Sequence, residues 1–339
     1  MSASPHWDDG VNGEHAVVSL VALCLAQAPK LRLDARSVAS LPRNLLQRVF
    51  RAYVEQEALD ATTIDLFGEA ECAYVQLSPH YVFQDVADAV INGLARLQGV
   101  RVLDLWNCRL SSPDCALRLV TRHASLSTLL LNQLKDIGTE SSEGGRLSFD
   151  DSIVSQLKSL TRLCLGHLVG FDLDVLKPLE LLEELYLIHC HELKGVEALQ
   201  SHKRLQTLQY SDEKKYCRGI MPKKTFEGFL SLSSLSCLIL TNVALRDEYI
   251  ESMTDMDNLK FLDVSFTYLS SSGLCLMLSH ARRLKSCVCM GIKLPAEVTT
   301  NDLFGGAAPP GIRVISNRSR LASRAGFKEL WPHGLSPMC

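Results

Sequence analysis

The residues with the strongest chemical potential in this chain are its twelve cysteines and the run His189-Cys190-His191. A metal site needs such ligands at a spacing that turns them to one point, and a redox pair needs C-x-x-C. Neither pattern occurs. On an extended backbone, neighbouring side chains point to opposite faces, so His189, Cys190 and His191 do not converge. The sequence also lacks a glycine-rich phosphate loop and a G-x-S-x-G elbow. The expectation is therefore a protein that is not an enzyme and needs no cofactor or metal. Its function would lie in binding.

The binding surface is written in a recurring frame. Its clearest copy is Val100-Arg101-Val102-Leu103-Asp104-Leu105-Trp106-Asn107-Cys108-Arg109-Leu110, with apolar residues at positions 1, 4, 6 and 11 and Cys at 9. This matches the leucine-rich-repeat frame L-x-x-L-x-L-x-x-N/C-x-L. Further copies start at Cys72, Leu126, Leu160, Leu182, Leu205, Leu235, Leu259 and Leu284, at intervals of 22 to 34 residues. The copies at Cys72, Leu205 and Leu284 are degenerate. The L-x-L pair buries two side chains on one face of a short strand, and the flanking residues stand on the other face. Position 9 turns inward, where its polar atom meets buried backbone groups. Cys72, Cys108, Cys164, Cys190, Cys287 and Cys289 sit within these frames, which reads as buried, reduced thiols.

Helical stretches follow several strands, opening at Ser112-Pro113-Asp114, Asp150-Asp151 and Ser270–Ser272, each with a capping residue before apolar side chains at helical spacing. Strand and helix in each coil predict an α/β leucine-rich-repeat solenoid, ribonuclease-inhibitor-like, with strands Leu103–Leu105, Leu185–Leu187, Leu238–Leu240 and Leu262–Val264 side by side. The polar insertion 138–145 and the basic one at 211–224 read as loops, the latter a second place where a partner could dock.

Four segments result: a tail at 1–15, a helical N-terminal cap at 16–58, the solenoid at 59–294, and a C-terminal cap or tail at 295–339. In the cap, Leu20, Leu23, Cys24 and Ala28 share one helical stripe, which Pro29 ends. A second helix runs from about Pro42 to Leu59. The apolar run 16–28 has the look of a secretory leader, but the 15 residues before it carry no Lys or Arg, and leaders start basic. Its removal would also leave an odd number of cysteines. The run is too short to span a bilayer. The expected location is cytoplasmic, nuclear or both.

A formal net charge of −3 gives no electrostatic footprint for nucleic acid or an anionic membrane. The partner expected is a protein, held on the concave sheet. The outward positions there carry large apolar side chains: Trp106, Leu130, Tyr186, Ile188, Ile239, Phe261, Val288 and Met290, with Asp263 among them. Aromatic anchors on an exposed apolar patch suit an interface. Terminal segments folding back over these residues is the alternative.

Ser19-Leu20-Val21-Ala22-Leu23-Cys24-Leu25-Ala26-Gln27-Ala28 resembles the BC box, the elongin-C-binding motif of ubiquitin-ligase receptors. Leu41-Pro42-Arg43-Asn44-Leu45-Leu46-Gln47-Arg48-Val49 resembles the cullin-2 box. The pair, placed before leucine-rich repeats, is similar to the leucine-rich-repeat half of the ZYG/ZER family of cullin-2 ubiquitin-ligase substrate receptors. That family continues into armadillo-like repeats holding its degron pocket, and none are seen here. The resemblance therefore implies adaptor docking alone, to elongin C and cullin-2, through Leu20, Cys24, Ala28, Leu41, Pro42, Leu45 and Val49. Leu41-Pro42, Leu45-Leu46 and Val49-Phe50 also resemble the opening of an F-box, which implies a Skp-type adaptor instead. The further alternatives are that both helices simply cap the first repeat, and that the chain is an interaction scaffold with no ligase link.

Overall fold

The computed structural model describes residues 27–30, 33–68, 71–77, 85–86, 88–106, 108–110, 119–131, 154–211, 221–251, 253, 256–295, 299–306 and 308–316. The strands are β1 (Tyr74–Gln76), β2 (Asp85–Val86), β3 (Val102–Leu105), β4 (Arg109–Leu110), β5 (Thr128–Leu131), β6 (Arg162–Gly166), β7 (Glu184–Ile188), β8 (Thr207–Ser211), β9 (Cys237–Thr241), β10 (Phe261–Asp263), β11 (Ser286–Val288) and β12 (Arg313–Ile315). Ten of them form one sheet in chain order; β2 and β4 pair apart. All pairs are parallel. The fold is a leucine-rich-repeat solenoid.

The frame dictates the register. Position 4 aligns Leu103, Leu129, Leu163, Leu185, Leu208, Leu238, Leu262 and Cys287 across consecutive strands. Each is 1% exposed or less. A one-residue slip would turn every one of them to the other face. The four strands expected in one parallel sheet, here β3, β7, β9 and β10, do share it; β9 and β10 are neighbours, while β5 and β6 stand between β3 and β7 and β8 between β7 and β9. The sheet also passes the expected end of the repeats at Leu294: β12 pairs with β11, although its sequence carries only a trace of the frame.

Two features of the turn after each strand follow from the frame. Position 8 is left-handed in every copy where it is described: His167 (φ 56°), His189 (φ 56°), Asn242 (φ 56°), Phe266 (φ 59°) and Gly291 (φ 83°). L-residues adopt this conformation at a cost, so the turn itself imposes it. Position 9 then points inward. The Cys190 thiol donates to the carbonyls of Leu165 and Ile188, each at 3.6 Å, and Thr267 Oγ1 donates to Val264 O at 2.8 Å. Burial pushes the Cys108 thiol up to about 12, which keeps it a donor. All eight described cysteines are free thiols.

The helices are α1 (Ala35–Ala39) and α2 (Arg43–Glu55) ahead of the first strand, and α3 (Asp88–Leu94), α4 (Lys223–Leu230), α5 (Asp247–Ile250), α6 (Ser271–Ser279) and α7 (Thr300–Leu303) between and after the strands. Ser270 caps α6, its Oγ accepting from Gly273 N at 3.1 Å. The helices expected after Ser112 and Asp150 have openings outside the described residues. The coils starting at Leu160 and Leu182 depart from the expectation of a helix in every coil. They carry 3-10 turns, Leu173–Leu176 and Val196–Ser201. At 22 and 23 residues these coils are too short to return through an α-helix.

The helix expected from Pro42 to Leu59 is α2, which Pro42 precedes as N-cap and which stops at Glu55. Leu46, Val49, Phe50, Tyr53 and Val54 are its buried face. Phe67 meets Phe50 and Tyr53 edge to face at 5.0 and 5.4 Å. The sheet's first edge is closed by a side chain. Gln47 Nε2 donates to Tyr74 O at 2.6 Å, and Tyr74 N donates to Gln47 Oε1 at 3.1 Å. The amide stands in for the backbone of a missing strand, on an edge that would otherwise offer unpaired groups.

Candidate protein-binding face

The register that buries positions 4 and 6 stacks positions 3, 5 and 7 of successive frames on the outer face. Two apolar clusters form there. One comprises Trp106, Leu130, Cys164 and Tyr186, with Ile188 beside them. The other comprises Cys237, Ile239, Phe261, Val288 and Ile315, with Met290 beside them. Between them β8 is polar, with Thr207, Gln209 and Ser211 on this face; Gln209 Nε2 donates to Ser211 Oγ at 3.1 Å.

All of the outward residues singled out from sequence therefore lie on one face, in two groups. Their exposure differs from expectation. Trp106, Leu130, Tyr186, Ile239, Phe261, Asp263 and Val288 are buried, and Ile188 and Met290 are half-buried. The frame predicts direction and says nothing of what lies above the sheet.

A polar group crosses the first cluster. Arg162 Nη2 donates to Glu184 Oε1 at 2.9 Å, its Nε donates to Oε2, and Tyr186 OH donates to Oε2 at 2.8 Å. Such a fork is a strong, directional pair. Burial works against the Arg162 charge, and Glu184 more than offsets it, holding the guanidinium above its ordinary value. Burial and the neighbouring Glu184 carboxylate push the Tyr186 hydroxyl up. Arg162 and Glu184 were not singled out from sequence, yet both occupy position 3 of successive frames, and the register sets them side by side.

Asp104 and Asp263 occupy position 5 of their frames, one in each half of the face. Asp104 Oδ1 accepts from Trp106 N at 3.0 Å and Asp263 Oδ1 from Ser265 N at 2.9 Å. Burial raises each carboxyl to about 6, against the lowering effect of those hydrogen bonds.

No family model and no curated protein matches this chain. Solved structures do match. An internalin, inlF, from Listeria monocytogenes is 13% identical over 77% of this chain and 71% of its own, with a TM-score of 0.47. The Rad7 and Elc1 complex in yeast is 13% identical over 90% of this chain and 87% of the matched one, TM-score 0.47. The leucine-rich-repeat protein LIC12759 of Leptospira interrogans is 18% identical over 73% and 62%, TM-score 0.41. The likeness is one of fold.

Of the adaptor-docking residues, Leu20, Leu23 and Cys24 lie outside the described residues. Ala28 is buried, and its carbonyl accepts from Tyr53 OH at 3.2 Å. Pro42 is exposed, Leu41 and Leu45 are half-buried, and Val49 is buried. Of the basic insertion expected as a loop at 211–224, Ser211 ends β8 and Lys223-Lys224 open α4; residues 212–220, like the polar insertion 138–145, lie outside the described residues. His189 packs its ring against His167, centroids 4.6 Å apart and planes tilted by 41°, and Cys190 points inward. Among the described residues no group of His, Cys, Asp and Glu could hold a metal ion.

Proposed function

We propose that this chain is a substrate-recognition subunit of a cullin-RING ubiquitin ligase. In this reading the N-terminal helices dock elongin C and cullin-2, and the outer face of the sheet takes a protein partner. The reading is supported by the two faces of α2. Leu46, Phe50 and Tyr53 seat the helix on the first coil, whereas Pro42 is exposed and Leu41 and Leu45 are half-buried. Three of the four cullin-2-box positions are thus reachable from outside a helix that is already anchored. An apolar helix face that meets a groove through such positions is a common mode of recognition.

Val49 favours a second reading. The fourth box position is spent on the core, and Gln47 closes the sheet edge. A helix serving only as a cap uses these two residues together with Leu46, Phe50 and Tyr53 and needs no partner of its own, which would leave a repeat scaffold with no ligase link. The F-box reading has less support, because Phe50, a landmark of its opening, packs on Phe67.

The test is capture of purified elongin C by the full chain and by its Leu20→Ala/Cys24→Phe variant. The first change removes the side chain that would fill a pocket; the second places a ring where close approach is needed. Loss of capture with an unchanged melting curve is expected. Undiminished capture would leave the box as a cap, and early melting would assign it to folding.

A further inference from the structure

The turns that lead into the last three strands carry charge of one sign. Residues 256–260, 281–285 and 309–313 hold Lys260, Arg282, Arg283, Lys285 and Arg313 against one acid, Asp257. The backbone sets these turns in a row. Lys285 N donates to Lys260 O at 2.8 Å, and Arg313 N donates to Lys285 O at 3.0 Å. Adjacent strands lie about 4.8 Å apart, so the five cations share an edge about 10 Å long. All five are exposed, and none is in an ion pair among the described residues. Unpaired like charges this close repel, which costs the fold rather than helping it. The formal net charge of −3 conceals this local excess. The preceding turn, 232–236, is uncharged, and Lys203 and Arg204 stand beyond it, so the basic row continues to β8.

A cavity opens on the same edge. It measures about 200 Å³ and lies where turns 232–236 and 256–260 meet α4, with Phe229, Leu232, Leu235, Leu238, Met256 and Leu259 as its apolar lining. All six are buried. Its exposed lining residues are Ser233, Asp257 and Asn258, and Asn258 Nδ2 donates to Ser233 O at 2.7 Å. An apolar cavity of about 150 Å³ takes a benzene ring, so this one has room for one aromatic or branched aliphatic side chain.

We infer that this edge docks an acidic segment of a protein partner, with one large apolar side chain of that segment in the cavity and its Asp and Glu residues on Lys260, Lys285 and the arginines beside them.

Charge complementarity selects the occupant, and an apolar anchor seated in a pocket inside a polar rim is the usual build of a protein interface. Two other polyanions fit less well. A membrane surface needs apolar side chains standing out beside the cations. A single-stranded nucleic acid needs exposed aromatic faces on which bases stack. The large apolar residues exposed among the described residues are Tyr74, Val169, Phe266, Tyr268 and Leu276, and none lies in these turns. The edge is separate from the sheet face and from α2, so the inference does not depend on the ligase reading.

The test is fluorescence anisotropy of the full-length protein with fluorescein-labelled peptides in which a central Leu, Phe or Trp is flanked on both sides by Asp and Glu. At least one should bind saturably at about 0.05 M salt and weaken as salt rises to about 0.5 M. A Lys260→Glu/Lys285→Glu variant should bind it at least about tenfold more weakly. So should a Ser233→Trp variant, whose ring blocks the mouth of the cavity, with both melting curves unchanged. The same peptide with Gly at its centre should lose at least about tenfold against the unaltered protein. Equal binding of the Gly peptide, undiminished binding by either variant, or no saturable binding at all overturns the proposal. So does tighter binding of phosphatidylserine vesicles or an oligouridylate RNA that the charge-reversed variant loses, which would make the edge a membrane or nucleic-acid surface. If either variant melts early, the unaltered protein is photo-crosslinked to the peptide carrying p-benzoylphenylalanine at its centre. Cross-links to residues 229–238 or 256–260 support the docking edge; cross-links only elsewhere overturn it.

Discussion

Asp263→Asn should stabilise the protein at neutral pH and not at acid pH. Asp263 is 2% exposed, and its Oδ1 accepts from Ser265 N at 2.9 Å. An asparagine keeps that acceptor and cannot ionise. Burial raises the folded carboxyl from 3.8 to about 6. Below about pH 3 both folded and unfolded chains hold the proton, and the group is neutral to stability. As pH rises from about 4 to 6 the unfolded chain releases its proton while the folded one retains it, so unfolding becomes easier. Above about 6 the folded state carries a buried carboxylate at full cost. At 1.36 kcal/mol per pH unit, the gap from 3.8 to about 6 amounts to roughly 3 kcal/mol. Urea unfolding of the two proteins at about pH 7.5 and about pH 3 measures it. The variant should gain roughly 3 kcal/mol at the higher pH and almost nothing at the lower. His123 and His202 work in the opposite sense, since burial lowers both and protonation below about 6.5 then favours unfolding. They are common to the two proteins and cancel. An equal gain at both pH values, or a loss at pH 7.5, would refute the argument and show that the carboxylate is compensated by a cation.

Leu105→Ala removes most of a side chain that is 1% exposed at position 6 of the best frame, and should cost about 2–5 kcal/mol in urea unfolding. Gln47→Ala leaves the backbone groups of Tyr74 without their partner. It should cost about 1–2 kcal/mol and shift sedimentation towards dimers through the freed β1 edge. Gly291→Ala places a Cβ 2.8 Å from Phe266 Cδ1 at a residue with φ of 83°. It should cost about 1–3 kcal/mol and lower the melting temperature. Asp104→Asn should repeat the pH behaviour of Asp263→Asn, and the double variant should show the sum, because β3 and β10 are far apart in the sheet.

How much of this was legible in the sequence follows from what the frame encodes. A four-point apolar period specifies which side chain enters the core, and in a parallel sheet it also specifies register. That is why Leu103, Leu185, Leu238 and Leu262 could be placed in one column. The frame carries less information on the convex side. There only coil length distinguishes an α-helix from the 3-10 turns at Leu173 and Val196. It is silent at β12, where pairing with β11 recruits a segment that barely fits the pattern. Gln47 was hidden because its role depends on a sheet edge that exists only after folding. The binding face was half legible. Side-chain direction follows from alternation, so Trp106, Tyr186 and Ile239 were placed on the correct face. Their burial is a tertiary property that no local period records.

An adaptor end and a partner face are separate parts of the proposed molecule, and a hydrogen-exchange footprint of the full chain with purified elongin B–elongin C complex tests that division most directly. Slowed exchange confined to residues 16–28 and 41–49, with β3 to β12 unchanged, is the predicted result. Protection spread over the sheet face, or no binding at all, would contradict it.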